Sequence, residues 1–156
     1  MKRKFIRGFT LIELLVVISI IGVLAALIMV NFNAARERTR DVSRKSDLDQ
    51  IKKALRMYYN DNNLYPVNGT LVWGSPFQSI SGGMIYMKIL PHDPSYQAAT
   101  GTPEYSYNQT LPGQDFCLRA SLENKSDGDI NKSQTRCATA CSGITIGTYD
   151  YVACAD

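Results

Sequence analysis

Glu13 is the one charged residue between Phe9 and Val30, in a run made almost wholly of Leu, Ile, Val, Ala, Phe and Met. A charge left alone at the centre of a bilayer costs about 2.5–3.5 kcal/mol on insertion scales, so a carboxylate placed this way calls for a partner. Three other sets of residues could do chemistry. Cys117, Cys137, Cys141 and Cys154 could form disulfides, remain thiols or bind a metal. Asp127, Asp129 and Asn131 put oxygen ligands at alternate positions, as a calcium loop does. His92, the only histidine, is the one residue a Ser-His-Asp or Cys-His device could use.

The segment around Glu13 must be an apolar helix. Phe9 to Val30 would extend about 33 Å at the rise of an α-helix, enough for a hydrocarbon core of about 30 Å. A secretory signal also begins with basic residues, but its apolar core is only about 7–15 residues long and ends in a small-residue cleavage site. Here Ala25-Ala26 lies inside a run that continues through Leu27-Ile28-Met29-Val30. The expectation is that the helix stays and the basic leader, residues 1–8, leaves.

Gly8-Phe9-Thr10-Leu11-Ile12-Glu13-Leu14-Leu15-Val16-Val17 resembles the class III signal sequences of type IV pilins and type II secretion pseudopilins. In that family a peptidase on the cytoplasmic face cuts after the glycine and methylates the new N-terminus. The resemblance therefore implies a cut between Gly8 and Phe9, an N-methylated Phe9, and Glu13 as the fifth residue of the mature chain. The family's small-residue position in the first helix matches Gly22, implying flexibility there; its helix-kinking proline is replaced by Val30. An amine at Phe9 and a carboxylate at Glu13 lie at i and i+4. When two such helices stagger, the carboxylate of one can reach the amine of the next, and in a low-dielectric setting that pair specifies register.

Charge gives no argument for a nucleic-acid partner. Lys2, Arg3, Lys4 and Arg7 are four of seventeen basic residues; without the leader, thirteen basic side chains face fourteen acidic ones, a net −1. Basic residues flank the apolar run on both sides, so Lys and Arg alone do not orient it. The cysteines do: an even number within the last forty residues of a small exported domain favours disulfides outside the cytoplasm. Four cysteines allow three connectivities. The resemblance to pilins implies Cys141–Cys154, which leaves Cys117–Cys137. A zinc site is a poor fit, because Cys137-x-x-x-Cys141 has no histidine near it.

Beyond Val30 the chain turns polar without a helix breaker until Asn60-Asp61-Asn62-Asn63 and Pro66. Leu48, Ile51, Leu55 and Tyr58 recur at three and four, an apolar stripe suited to a core. Asp41 with Lys45, and Asp49 with Lys53, support an exposed face. The charge run Arg36 to Lys45 reads as solvated. The organisation expected is a leader (1–8), a transmembrane and filament-core helix (9–30), its amphipathic continuation (31–61), a connecting region (62–104) and a cysteine-containing sheet region (105–156). Pro and Gly punctuate the connecting region too densely for long elements, with room for a short helix from Gly83 to Leu90. Leu90-Pro91-His92-Asp93-Pro94 before Tyr105-Ser106-Tyr107 resembles the head of major pseudopilins, where such a turn precedes the first strand. Tyr105–Asn108, Phe116–Leu122, Ile144–Ile146 and Tyr149–Cys154 have strand character. A small antiparallel sheet against the back half of a long helix makes the fold α+β.

No enzyme is expected. His92 sits between two prolines with no nucleophile motif nearby, and the glycines fit neither phosphate-loop spacing. Asp127-Gly128-Asp129 fails as an EF-hand, since Lys132 stands where the turn glycine is needed and Ala138 where the bidentate glutamate belongs. It reads equally as an Asp-Gly turn between strands. Some pseudopilins bind calcium in a C-terminal loop, so calcium is the one cofactor entertained. Asn-x-Ser/Thr sequons at Asn68, Asn108, Asn124 and Asn131 leave glycosylation open. The tyrosine-rich middle, Tyr58 to Tyr96, suits core packing and subunit contact.

The resemblance implies a structural subunit that waits in the cytoplasmic membrane with its head outside. Its expected partners are the prepilin peptidase, a membrane assembly platform with its ATPase, further copies of itself and related minor pilins; DNA enters only for a competence pilus. The rival reading is a membrane-anchored binding or adhesin domain that never polymerises.

Overall fold

The computed structural model describes residues 9–79, 83–110 and 112–155, the side chains of residues 28–31 excepted. Gly8 and the rest of the leader lie outside the described residues. The elements are α1 (Leu11–Asn62), β1 (Phe77–Gln78), β2 (Ile85–Met87), β3 (Ser106–Thr110), β4 (Asp115–Ser121), α2 (Asp129–Arg136) and β5 (Asp150–Ala153). Two compact units divide the chain between Arg36 and Glu37.

The first unit is the front of α1. Every described side chain from Phe9 to Leu27 is exposed, including Leu11, Ile12, Leu14 and Val23, and the helix is long and apolar enough to cross a membrane. Apolar surface this continuous is far beyond what a soluble monomer leaves in water. Gly22 has open space where a Cβ would stand.

The second unit is a small α+β head. The stripe Leu48, Ile51, Leu55 and Tyr58, with Ala54, is buried in α1, and each fully buried Leu or Ile contributes about 1.5–3 kcal/mol relative to exposure. It packs against Phe116, Leu118, Ala120 and Ala153 of an antiparallel sheet in the order β3-β4-β5. The aromatic residues fill the rest. Tyr58 stacks on Phe77 at 5.5 Å and meets Tyr86 edge-on at 5.4 Å, while Tyr65 meets Phe116 edge-on at 4.8 Å. α1 stops at the expected Asn cluster, where Asn63 turns to φ 56° and its N–H donates to Tyr59 O. Asparagine tolerates that left-handed conformation better than most residues, which makes it a workable helix end.

Several local expectations are corrected. Gly83 to Leu90 holds strand β2, not a helix; β2 pairs antiparallel with β1 and buries Tyr86, so the ring's place in the core overrides the local reading. The Pro91–Pro94 turn thus precedes the third strand rather than the first. Ile144 to Ile146 is irregular and packs, partly buried, against the cysteine cluster. Asp127-Gly128 does not join two strands; it leads into α2, a helix that the polar sequence Asp-Ile-Asn-Lys-Ser-Gln-Thr-Arg barely signals. β4 is covered on both faces at Cys117. One face meets α1, and the other meets Cys137, Ala140, Cys141, Val152 and Cys154.

The disulfides are Cys117–Cys141 and Cys137–Cys154, not the pairing that the pilin resemblance implies. The Leu118↔Ala153 register, extended by one step, sets Cys117 opposite Cys154. Cys137 and Cys141 are one helical turn apart, joined by the Cys141 N–H to Cys137 O hydrogen bond of 2.9 Å. The turn crosses the sheet so that Cys141 lies over β4 and Cys137 over β5, and that direction of crossing selects the pairing. Non-reducing proteolysis and mass spectrometry will recover Cys117–Cys141 and Cys137–Cys154 cross-linked peptides. Cys137→Ser with Cys154→Ser will lower head stability by about 2–4 kcal/mol in a denaturant titration.

Candidate functional site

The candidate site is the start of α1, where Glu13 sits. Its Oε2 accepts hydrogen bonds from the Thr10 N–H at 2.9 Å and the Thr10 hydroxyl at 2.7 Å, and the Glu13 N–H donates to Thr10 Oγ1 at 3.3 Å. This reciprocal arrangement is a capping box: residue 10 caps the helix and the glutamate three residues on reaches back to it. The carboxylate of a single chain therefore has a polar partner within its own first turn. In the sequence, Thr10-Leu11-Ile12-Glu13 spells the Thr-x-x-Glu signal directly before an apolar run, the local mark of this cap. Phe9 is exposed beside it, and Phe9, Ile12, Glu13, Val16 and Val17 line one shallow hollow.

The head carries a second arrangement that the sequence hides. Asp41 and Arg44 belong to the run read as solvated, yet each is only 2% exposed. Arg44 donates from Nε and Nη2 to the two oxygens of Asp93 at 2.6 and 2.9 Å, from Nη1 to Asp41 at 2.7 Å, and from Nη2 to Ser95 at 2.9 Å. Its Nη2 also lies 2.8 Å from Glu123, which Arg40 holds as well. Asp41 in turn accepts the Glu123 and Asn124 N–H groups at 2.9 and 2.8 Å. One guanidinium thus ties α1 to the Pro91–Pro94 loop and to the end of β4. A helix face three residues from solvated neighbours gives no periodic sign of this, because the anchor is defined by loops fifty and eighty residues away.

Asp127 and Asp129 do converge, but on a lysine. Lys45 Nζ donates to Asp127 Oδ2 at 2.7 Å and to Asp129 Oδ2 at 2.9 Å, so the expected Asp41–Lys45 pair is replaced by two longer-range ones. The Asp129 N–H donates to Asp127 Oδ1 at 2.9 Å, and Asn131 is exposed in α2. Among the described residues no group of three or more His, Cys, Asp or Glu side chains could hold a metal ion. His92 stacks on the Tyr96 ring at 4.0 Å, and its Nδ1 is 2.5 Å from Glu104 Oε2. Gly74, at φ 75°, lets the backbone lie against that imidazole, where a Cβ would collide. The histidine is a packing element of the loop.

Burial opposes ionisation of Asp93, but the hydrogen bonds from Arg44 and Ser95 outweigh it and hold the carboxyl below its usual range. The hydrogen bond from Arg40 does the same for Glu123, against a smaller burial effect. Burial raises Asp47 more than the Tyr105 hydroxyl bond lowers it.

Residues 3–29 match the family model of the prokaryotic N-terminal methylation motif. The chain is similar to type II secretion system core protein G of Aeromonas hydrophila, 36% identical over 123 residues that cover 73% of this chain and 79% of that protein. It is 47% identical to the core protein G of Klebsiella pneumoniae over 116 residues, 72% of this chain and 73% of that one. It is also 48% identical over 62 residues to the type IV wide pilus major component PilA4 of Thermus thermophilus, 40% of this chain and 47% of that protein. No solved structure matches it.

Arg44→Met will leave Asp41 and Asp93 buried without their cation and destabilise the head by about 3–5 kcal/mol in urea titration at neutral pH. Carboxyls with lowered folded-state values contribute stability that is complete above their unfolded values, about 4, and is lost as pH falls through the folded ones. The wild-type unfolding midpoint will therefore drop below about pH 4, and the drop will be smaller in the variant.

Proposed function

Because this chain belongs to the family of type II secretion core protein G pseudopilins and their type IV pilin relatives, we propose that it is a pseudopilin of a secretion-type filament. Members of the family are structural subunits, and this one is a filament subunit processed by prepilin peptidase and polymerised through its apolar N-terminal helix. The observation that carries the secretion reading is the extent of likeness to two of the core proteins G, which runs over nearly three quarters of this chain, where other core proteins G match over 38–56% and the pilin over 40%. The pilin likeness, higher in identity over its shorter span, is the observation behind the alternative of a surface pilus.

The N-terminus does the assembly work in this reading. Cleavage between Gly8 and Phe9 frees an amine one turn from Glu13. As the apolar helix leaves lipid for the filament core, apolar contact supplies cohesion without direction. The Glu13 carboxylate then leaves its own Thr10 cap, or shares it, to meet the Phe9 amine of the neighbouring copy, which sets the stagger. An unpaired carboxylate in that core would be costly, so only the correct register is tolerated. Gly22 gives the helix room to adjust. Before assembly the chain is anchored in the cytoplasmic membrane with its head outside, where the disulfides form. The assembly platform, its ATPase and related minor pilins complete the partners.

The head has a structural role and no catalytic one. The ammonium of Lys45 provides the positive charge between Asp127 and Asp129, so the C-terminal region is held by a side chain and two disulfides and does not depend on calcium.

Three experiments test these readings. Intact-mass and N-terminal peptide analysis of protein from native membranes will give a chain beginning at N-methylated Phe9. Glu13→Ala will be processed normally yet form no filaments by electron microscopy; normal filaments would remove the role given to Glu13, and a chain still starting at Met1 would point to a plain anchor. Adding EDTA will leave the melting temperature of the wild-type head unchanged. A fall of several degrees, reversed by calcium, would overturn the part assigned to Lys45.

A further inference from the structure

At the far end of the apolar stretch of α1 a ring meets a cation. Phe32 is 54% exposed, and the guanidinium carbon of Arg36 lies over its ring, 4.7 Å from the centroid. The two stand at i and i+4, so they share one side of the helix. Both belong to the first unit, and Arg36 is exposed. Among the described residues no carboxylate lies within ion-pair distance of this arginine. A ring takes no ordinary hydrogen bond from a guanidinium, so its fork of N–H donors stays open to an acceptor from outside the chain.

The position of the pair along α1 identifies that acceptor. The rise of an α-helix puts Phe32 about 35 Å and Arg36 about 40 Å beyond Phe9. A bilayer measures about 30 Å through its hydrocarbon core and about 40–45 Å with its headgroups. With the mature N-terminus in one headgroup layer, the Phe32 ring therefore reaches the hydrocarbon boundary of the opposite leaflet, and Arg36 falls among the headgroups there. Helical side chains lean toward the N-terminus, which here means back toward the lipid. The seating of the guanidinium on a ring one turn earlier shows that Arg36 takes this direction. Its methylene stem can follow the apolar surface while the charge stays in the polar layer.

We propose that Phe32 and Arg36 bind the headgroup of an anionic phospholipid in the outer leaflet. The ring rests against the first acyl carbons, and the guanidinium holds the phosphate through paired, charge-assisted hydrogen bonds. An anionic headgroup is favoured over a zwitterionic one, because the ammonium of the latter already offsets its own phosphate. The contact fixes how deep the helix sits, which apolar burial by itself leaves free to slide. This inference rests on the reading of α1 as a membrane anchor before assembly, and is separate from the choice between secretion filament and pilus.

The test uses the processed full-length chain, so that the basic leader is absent, reconstituted into vesicles of equal parts phosphatidylglycerol and phosphatidylcholine. The vesicles are floated on a density gradient and extracted in neutral detergent, and the lipid retained by the protein is counted by mass spectrometry. The wild type will float and retain phosphatidylglycerol over phosphatidylcholine by about tenfold, the scale of one charge-assisted contact. Arg36→Gln will float equally well and lose the preference, whereas Arg36→Lys, which keeps the charge without the fork, will retain part of it. Phe32→Ala will also retain part, and Lys125→Gln, at an exposed lysine of the head, will retain all of it. Equal retention of the two lipids by the wild type would overturn the proposal. So would a preference that survives Arg36→Gln, or one that Arg38→Gln abolishes in its place. A wild-type chain that does not float would overturn the anchor reading itself, and the site with it.

Discussion

The head depends on the burial of one guanidinium. Arg44 leaves solvent with its charge, and that is tolerable only because Asp41, Asp93 and Glu123 converge on it in bidentate and branched hydrogen bonds. A hydrophobic side chain there would pack as well but would tie nothing together. The guanidinium must be met by a loop at Asp93 and by the segment just after β4 at Glu123, so it specifies where each stands against α1. The apolar stripe Leu48 to Tyr58 supplies most of the burial; Arg44 decides which loops lie at its upper end.

The same logic, at a different scale, governs the start of the helix. Glu13 in its capping box is a charge with a local partner, which makes a lone subunit tolerable before assembly. That partner is exchangeable, because the carboxylate has more acceptor capacity than Thr10 uses. Apolar helices attract one another without preference for register; in the proposed filament, Glu13 is the charge that gives them one. On that proposal the helix uses an ionic group as the head does, to make one arrangement out of many that the hydrophobic effect alone would allow.

Lys45 and the disulfides secure the other end of the head. Lys45 draws Asp127 and Asp129 toward α1 at the entrance of α2, and Cys137 and Cys141 fasten the turn after α2 to β5 and β4. Little of this region is apolar enough to hold itself: α2 buries only Ile130 and Ser133. Covalent and ionic ties take the place of a larger core, as expected of a small extracytoplasmic unit.

What the sequence by itself determined lies where information is local. The spanning run, its single carboxylate, the glycine before Phe9, the stripe of period three and four, and the alternation of Phe116, Leu118, Ala120 and Leu122 are all read within a few residues, because helix and strand periods are set by the backbone. They sufficed for the α+β class and the family. Only the tertiary structure decided the disulfide pairing, the burial of Asp41 and Arg44, the strand at Ile85–Met87, and the convergence of Lys45 on Asp127 and Asp129. Each depends on which segments distant in the chain meet. An arginine in a charged helical run looks the same whether it faces water or two loops, and four cysteines look the same whichever way the turn between them crosses the sheet.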